Sequence, residues 1–417
     1  MKKNMSLQTS RRTLLQAGLA GLGVAAAAPA QTANGQPADD YITPAMRTPG
    51  RPFTAYGMPA SYEAGVKRIV TPPGISPGTG VSRTPLEMLE GIITPSGLHY
   101  ERHHNGVPDI DPAAHRLAIH GLVKTPLEFS MDALMRYPRI SRMHFMECGG
   151  NSGANSGPTP SQQTAGGIHG LLSCSEWTGV ALGPLLDEAG VMPTGTWLLA
   201  ESGDAAGLSR SVPLAEAHAQ GILALFQNGE RLRPEQGYPV RLLMPGWEGN
   251  LNIKWLHRLK VTTGPMMTKD ETSKYTQLQA DGRARQFNFL MPVKSVITRP
   301  SGGMTMQGAG YYEISGVAWS GHGAIAKVEV SRDSGATWVA AEMPGPVLPK
   351  CLTRFRLPWD WDGKTTVLMS RATDDAGNVQ PVRSVWIAQF KPGQGYQNNS
   401  IQSWQVGADN SVKNTYV

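Results

Sequence analysis

The sequence predicts an α+β chain in which a mixed domain of short strands and helices precedes an all-β sandwich. Three observations carry this expectation. Over residues 117–263, short apolar runs alternate with amphipathic stretches. After about residue 291 the texture changes to period-2 alternation at intervals of about ten residues, with turn residues between. Between the two, residues 268–286 are polar and charged and mark a junction. The predicted organisation is a targeting segment over 1–30, an irregular leader over 31–90, the mixed domain over 91–280 and the sandwich over 285–410.

The first thirty residues contain Lys2, Lys3, Arg11 and Arg12 and no acid. Ser10-Arg11-Arg12-Thr13-Leu14-Leu15 has the twin-arginine pattern, a mildly apolar stretch covers 17–28, and Ala28-Pro29-Ala30 offers a small-residue cleavage site. Gly18, Gly21 and Gly23 keep the stretch too mild and short for a membrane span. The alternative is an uncleaved amphipathic N-terminus. The expectation is a periplasmic protein exported already folded, a route that suits a chain loaded with its cofactor in the cytoplasm. Setting those four cations aside takes the 38 Lys and Arg to 34 against 32 acids, so the formal +6 falls to +2. No basic run remains to follow phosphates, which excludes a nucleic-acid partner.

The leader is rich in Pro, Gly, Ser and Thr, as in Thr71-Pro72-Pro73-Gly74-Ile75-Ser76-Pro77-Gly78, and is expected to be irregular with one short helix near 85–90. In the mixed domain, Arg116-Leu117-Ala118-Ile119-His120-Gly121-Leu122-Val123 reads as a strand entering a turn, and Ser130 as the cap of a helix opening at Met131. Residues 183–189 and 214–219 read as helices, and 197–200, 222–226 and 240–244 as strands. In the last part, strands are expected over 308–316, 326–331, 338–341, 352–357 and 366–372. Turns fall at Arg332-Asp333-Ser334-Gly335 and Asp374-Asp375-Ala376-Gly377-Asn378. That rhythm is the rhythm of an immunoglobulin-like sandwich.

Cys148 is one of three cysteines, and Gly149-Gly150-Asn151-Ser152-Gly153 follows it. Glycines let backbone approach where a Cβ would collide, which suits a thiolate presented to a metal or a bulky cofactor. The bland alternative is a small buried hydrophobe before a turn. Cys174 and Cys351 could bridge each other or both be simply buried, and the second reading is preferred. The sequence has no Cys-x-x-Cys-His motif, no iron–sulfur cysteine cluster and no Gly-x-Gly-x-x-Gly opening a helix after a strand. Redox chemistry here would therefore run without haem in this chain and pass its electrons to a partner.

Several ordered blocks surround the cysteine. Tyr100-Glu101-Arg102-His103-His104 places an anion-binding guanidinium beside two imidazoles, although alone it also reads as a solvated loop. Arg241 in Tyr238-Pro239-Val240-Arg241-Leu242 and Lys254 in Asn252-Ile253-Lys254-Trp255-Leu256 would, in isolation, read as strand-edge charges.

Together these blocks resemble the sulfite oxidase family of molybdenum–pterin enzymes, and within it most closely the molybdenum subunits of bacterial sulfane dehydrogenases, over about residues 91–404. Tyr100 to His104 resembles the family's Phe-x-Arg-Asn-His block, which implies that Tyr100, His103 and His104 hold the pterin while Arg102 also faces substrate. Cys148-Gly149-Gly150-Asn151 resembles Cys-Ala-Gly-Asn, whose cysteine is the sole protein ligand to molybdenum, a role suited to a soft thiolate. Ser211-Val212-Pro213-Leu214 resembles Ser-Ile-Pro-Leu. Asp204 stands at a pterin-contacting aspartate, and Gln236 at a pterin-contacting histidine. The resemblance puts Arg241 on the cofactor phosphate, has Asn252, Ile253 and Lys254 contact the pterin, and makes Tyr275 the active-site tyrosine. Residues 291–297, 316–321 and 378–381 resemble the family's dimerisation domain, implying a homodimer.

Departures from the family sharpen the substrate expectation. A second substrate arginine is replaced by Gly153, a pocket tryptophan has no counterpart in 161–167, and a third arginine is replaced within Gln397-Asn398-Asn399. One arginine of about three remains, which weakens a site for the free sulfite dianion. The resemblance therefore implies one molybdopterin-bound molybdenum per chain. Its substrate would be sulfane sulfur on a sulfur-carrier protein, oxidised to the sulfonate level, with electrons leaving to a c-type cytochrome subunit. Sulfite dehydrogenation with free sulfite is the alternative within the enzyme class, and an exported binding protein on a decayed scaffold the alternative outside it.

Overall fold

A computed structural model describes residues 42–71, 78–390 and 396–417. The twin-arginine pattern, the cleavage site and residues 72–77 of the leader lie outside the described residues. Residues 42–58 carry a single 3-10 turn, Pro44–Met46, and Pro59–Val417 forms one compact unit.

The leader is less irregular than its composition suggests. It contributes strands β1 (Ile69–Thr71) and β2 (Gly80–Arg83), which pair antiparallel with each other, and β2 pairs antiparallel with β3 (Glu101–His103) in register Gly80↔His103 and Val81↔Arg102. The Pro/Gly/Ser/Thr content that argues for a loop hides two short ladders, β1 with β2 and β2 with β3. The helix expected near 85–90 is one 3-10 turn, Leu86–Met88.

The mixed part holds two five-stranded sheets. One runs β5-β4-β13-β8-β9, built from β4 (Arg116–Gly121), β5 (Leu127–Ser130), β8 (Trp197–Ser202), β9 (Ser209–Pro213) and β13 (Leu256–Thr262), with β4 and β13 parallel. Ser130 Oγ accepts from Ala133 N at 3.1 Å and caps helix α1 (Met131–Leu134), as the sequence implied. The other sheet runs β11-β10-β7-β6, with β12 (Arg241–Leu243) also on β10 (Ile222–Gln227) and β11 spanning Glu230–Arg231. At its β6 edge is the nine-residue ladder of β6 (Arg139–Glu147) with β7 (Leu172–Ala181), which the periodicity does not reveal. In β7, Leu172, Ser173, Cys174 and Ser175 are all fully buried, the serines bonded to Thr84 Oγ1 (2.7 Å) and Gln227 Nε2 (2.9 Å), so the strand is covered on both faces. Between β6 and β7 lies helix α2 (Ala165–His169), and helices α3 (Leu182–Ala189) and α4 (Leu214–Gln220) pack with Leu117, Leu198 and Leu259 in one hydrophobic core.

A short antiparallel ribbon of β14 (Gln277–Leu278) and β15 (Ala284–Arg285) precedes the last part, a two-sheet sandwich. Strands β16 (Lys294–Arg299), β17 (Gly310–Trp319) and β20 (Thr353–Trp361) form one sheet. The other has the order β19-β18-β21-β22-β23, from β18 (Ile325–Ser331), β19 (Val339–Ala340), β21 (Thr366–Asp374), β22 (Ser403–Val406) and β23 (Val412–Thr415). Both predicted turns are present: Asp333 accepts from Thr337 N at 2.9 Å, and Asp374 caps Asn378 N at 2.8 Å. An unforeseen helix, α5 (Arg383–Gln389), follows β21. Cys174 and Cys351 are unbridged and buried side by side, Sγ to Sγ 3.4 Å, where the mixed part meets the sandwich.

Candidate active site

Cys148 stands one residue beyond the end of β6. Its N–H donates to Leu171 O (3.0 Å), extending the β6–β7 ladder by one rung, and its carbonyl accepts from Asn151 N (2.9 Å). Asn151 then closes the loop: Oδ1 accepts from Leu171 N at 3.1 Å and Nδ2 donates to Glu147 Oε1 at 2.9 Å. Ser152 follows in the left-handed region at φ 63. The glycine run has a definite steric cause at one position. A Cβ on Gly149 would sit 1.8 Å from Glu248 Oε1, whereas one on Gly150 would meet only Cys148 Sγ at 4.0 Å.

The thiol opens onto a cavity of about 660 Å³ including its mouth. Of the twelve residues the sequence singled out, eleven line it: Tyr100, Arg102, His103, His104 and Cys148 from one side, Asp204, Gln236, Arg241 and Asn252 from another, with Lys254 and Tyr275. Ile253 is the exception. Its side chain is fully buried in the core and its carbonyl accepts from Leu242 N at 2.9 Å.

The cations of this wall are fixed by backbone carbonyls. Arg241, 2% exposed, donates Nη1 to Gln236 O and Nη2 to Asn252 O, both at 2.9 Å, and its guanidinium lies 5.1 Å from the Trp177 ring centre. Lys254 Nζ donates to Arg102 O (3.2 Å), Glu235 O (3.1 Å) and His103 Nδ1 (2.9 Å). With Nδ1 accepting, His103 donates Nε2–H to Glu101 Oε2 at 2.8 Å, which defines its neutral tautomer. Burial and the nearby Lys254 charge lower its pKa to about 3, and burial with Arg102 nearby lowers that of His104 to about 4. His104 Nε2 and Tyr275 Oη share a hydrogen bond of 2.9 Å, and burial, then the Cys148 charge, raises the tyrosine well above its usual range. Arg102 donates to His103 O and, at 3.4 Å, to Gly80 O.

Cys148 itself has its pKa pushed up to about 11, first by burial, with Glu248 and Glu147 adding to the rise while a Gly150 amide and Arg102 oppose it. A bound cation would reverse that balance, because metal coordination deprotonates a thiol outright.

Two residues close to this chamber carry no local sequence signal. Arg210, 1% exposed on β9, lies over the Tyr275 ring at 5.1 Å, donates to Asn250 Oδ1 and sits 4.0 Å from Glu271 Oε1. Glu248, 3% exposed, has its pKa raised to about 7 by burial against the opposing pull of Arg210. Arg210 does not line the cavity; it is a buried arginine behind the Tyr275 ring, supplied from a different strand and answered by buried acids. Tyr396 joins them, its ring 6.0 Å from that of Tyr275.

The residues present fit a molybdenum–pterin group. The cavity offers three cations against the single carboxylate of Asp204, one soft sulfur ligand, and unpartnered polar atoms of both kinds. Arg241 Nε is a buried donor without a partner; His99 donates Nδ1–H to Tyr100 O at 3.0 Å, leaving Nε2 as a buried acceptor without one. A ligand with an anionic end and donor–acceptor edges matches that set.

Fold and site together define a molybdopterin oxidoreductase with an appended dimerisation domain, and the comparisons agree. Residues 104–269 match the oxidoreductase molybdopterin binding domain, and residues 285–401 the Mo-co oxidoreductase dimerisation domain. Mitochondrial sulfite oxidase of Rattus norvegicus is 30% identical over 334 residues, covering 72% of this chain and 60% of that protein. The NAD(P)H nitrate reductase of Hordeum vulgare is 30% identical over 382 residues, covering 78% of this chain and 41% of that protein. The chain thus spans about three fifths of the sulfite oxidases it matches. The crystal structure of the sulfane dehydrogenase SoxCD from Paracoccus pantotrophus superposes with a TM-score of 0.89 at 42% identity, over 92% of this chain and 100% of that chain. The chain belongs to the sulfite oxidase family of molybdopterin oxidoreductases.

Proposed function

We propose that this protein is a sulfane dehydrogenase: it oxidises sulfane sulfur held on a carrier protein to the sulfonate level. The observation that carries the reading is the 42% identity to the sulfane dehydrogenase SoxCD along 92% of the chain. The balance is R–S–S⁻ with three waters giving R–S–SO₃⁻, six protons and six electrons, hence three two-electron turns. When bound, the molybdenum–pterin group supplies the two-electron oxidation and the oxygen drawn from water.

The protein's own residues bind and orient. Cys148 would ligate the metal, with Arg241 at the cofactor phosphate and Lys254, Asn252, Gln236, Asp204, Tyr100, His103 and His104 around the pterin. Arg102 would steady negative charge developing on the oxygens bonded to sulfur, and Tyr275, held by His104, would hydrogen-bond the same oxygens. Electrons pass to a c-type cytochrome subunit, the chain pairs with a second copy through its dimerisation domain, and twin-arginine export places it in the periplasm. Among the described residues no helix is long and apolar enough to cross a membrane.

The test is steady-state turnover of the purified, molybdenum-loaded protein with its co-purifying cytochrome. Turnover that requires a sulfur-loaded carrier protein supports the reading. Efficient turnover of free sulfite at micromolar KM without a carrier replaces it with sulfite dehydrogenation.

A further inference from the structure

We propose that Glu248 is a specificity-determining residue that sets the charge of the substrate admitted beside Cys148, by answering Arg210 and repelling small dianions. This rests on the protein-bound sulfur reading above and names the residue that enforces it.

The position is built rigidly. Glu248 N–H donates to Phe289 O at 2.7 Å, and its carbonyl accepts from Leu251 N at 2.9 Å and Asn252 Nδ2 at 3.2 Å. Its carboxyl is thereby held over Gly149, in the space a methyl group would need, with Oε1 buried and without a hydrogen-bond partner. The Cys-Ala-Gly-Asn block of the resembled family has that methyl. This chain has a carboxyl there instead, so glycine at 149 and glutamate at 248 are two halves of one feature.

The position over Gly149 sets that carboxyl beside the loop that carries the thiol. Its charge bears on Cys148, Tyr275 and Tyr396, and on Arg210 it is the largest influence after burial. Arg210 is further committed to Asn250 Oδ1, the Tyr275 face and Glu271. Arg210, buried and held by these three partners, is thus not a free anion receptor. In a site shielded from water, a fixed carboxylate penalises a dianion about twice as much as a monoanion at the same distance. A terminal sulfur on a carrier arm, with at most one negative charge, is tolerated; sulfite and sulfate are not.

The experiment uses the full-length, molybdenum-loaded enzyme at pH 8. It compares wild type, Glu248→Gln, Gly149→Ala (which displaces the same carboxyl) and Arg210→Met. Sulfate affinity is read without turnover, from the sulfate concentration that raises the melting temperature, and KM for sulfite is read separately. The expected result is sulfate binding about tenfold tighter in Glu248→Gln and Gly149→Ala, with a parallel fall in sulfite KM, and weaker sulfate binding in Arg210→Met. Sulfate affinity within about twofold of wild type in both carboxyl variants overturns the assignment. Efficient free-sulfite turnover by wild type overturns the protein-bound reading instead, and the sulfate arm still judges Glu248 by itself.

Discussion

Lys294 and Glu147 form a buried ion pair, Nζ to Oε1 3.4 Å, directly behind Cys148. Both side chains are 2% exposed. Lys294 also donates to Ser152 Oγ at 2.6 Å, and Trp319 donates Nε1–H to Glu147 Oε2 at 2.6 Å. Two strands of the sandwich thus hold both ends of the loop that presents the thiol.

Replacing Lys294 with Met is expected to leave the Glu147 carboxylate buried without its cation. Loss of one partner of such a pair costs about 3–5 kcal/mol. Chemical denaturation would read the loss, and adding Glu147→Gln to the same chain should recover most of it.

Cys148→Ser should abolish molybdenum-dependent turnover in a protein that remains folded. A serine hydroxyl can accept from the Gly150 amide as the thiol does, and the loop is closed by the main chain and Asn151. Retained turnover with molybdenum bound, beside a native circular dichroism spectrum, would remove Cys148 from the ligand role.

Stability should fall on acidification. His99 and His144 have pKa values lowered to about 3 and about 4, chiefly by burial, so below 6.5 the unfolded chain takes up protons that the folded chain refuses. Each histidine then costs about 2 kcal/mol by pH 5. Glu248 acts in the opposite sense, because its pKa, raised to about 7, lets the folded chain take a proton first. It offsets about one histidine between pH 7 and 5 and nothing below about 4.5, so the loss should steepen there. Urea midpoints across this range check the slope, and Glu248→Gln should lose more stability than wild type between pH 7 and 5.

Alkylation of the protein unfolded without reductant should modify three thiols per chain. Cys174 and Cys351 touch at 3.4 Å without a bond, and both lie sealed in a core with Phe145, Leu172 and Trp319. A peptide linking the two would show that the pair is oxidised in the mature protein.

The sequence made the site legible where chemistry is written in short blocks. Arg102, Cys148, Arg241 and Lys254 each sit in a local pattern, and the fold gathers them around one cavity. It was silent where the chemistry depends on distant pairing. Arg210 is an ordinary arginine in a polar strand until Tyr275 and Glu271 close on it from a distant segment of the chain. Lys294 left one trace, a cation inside the apolar run Pro292-Val293-Lys294-Ser295-Val296-Ile297, but nothing local names Glu147 as its partner. The β6–β7 ladder is hard to read because β7 is buried on both faces, with Ser173 and Ser175 hydrogen-bonded inside beside buried Leu172 and Cys174, so burial does not follow polarity.

The sandwich also supplies backbone-level support to the cysteine loop: Gln397 N–H donates to Gly149 O at 2.6 Å, and Asn398 Nδ2 to Ser152 O at 3.4 Å. Two domains meet in this chain, yet the cysteine loop is finished only by residues from both. The molecule is modular as text and indivisible as an object: cut after residue 280, the first part would keep every residue proposed to bind the cofactor and lose what keeps the thiol in place.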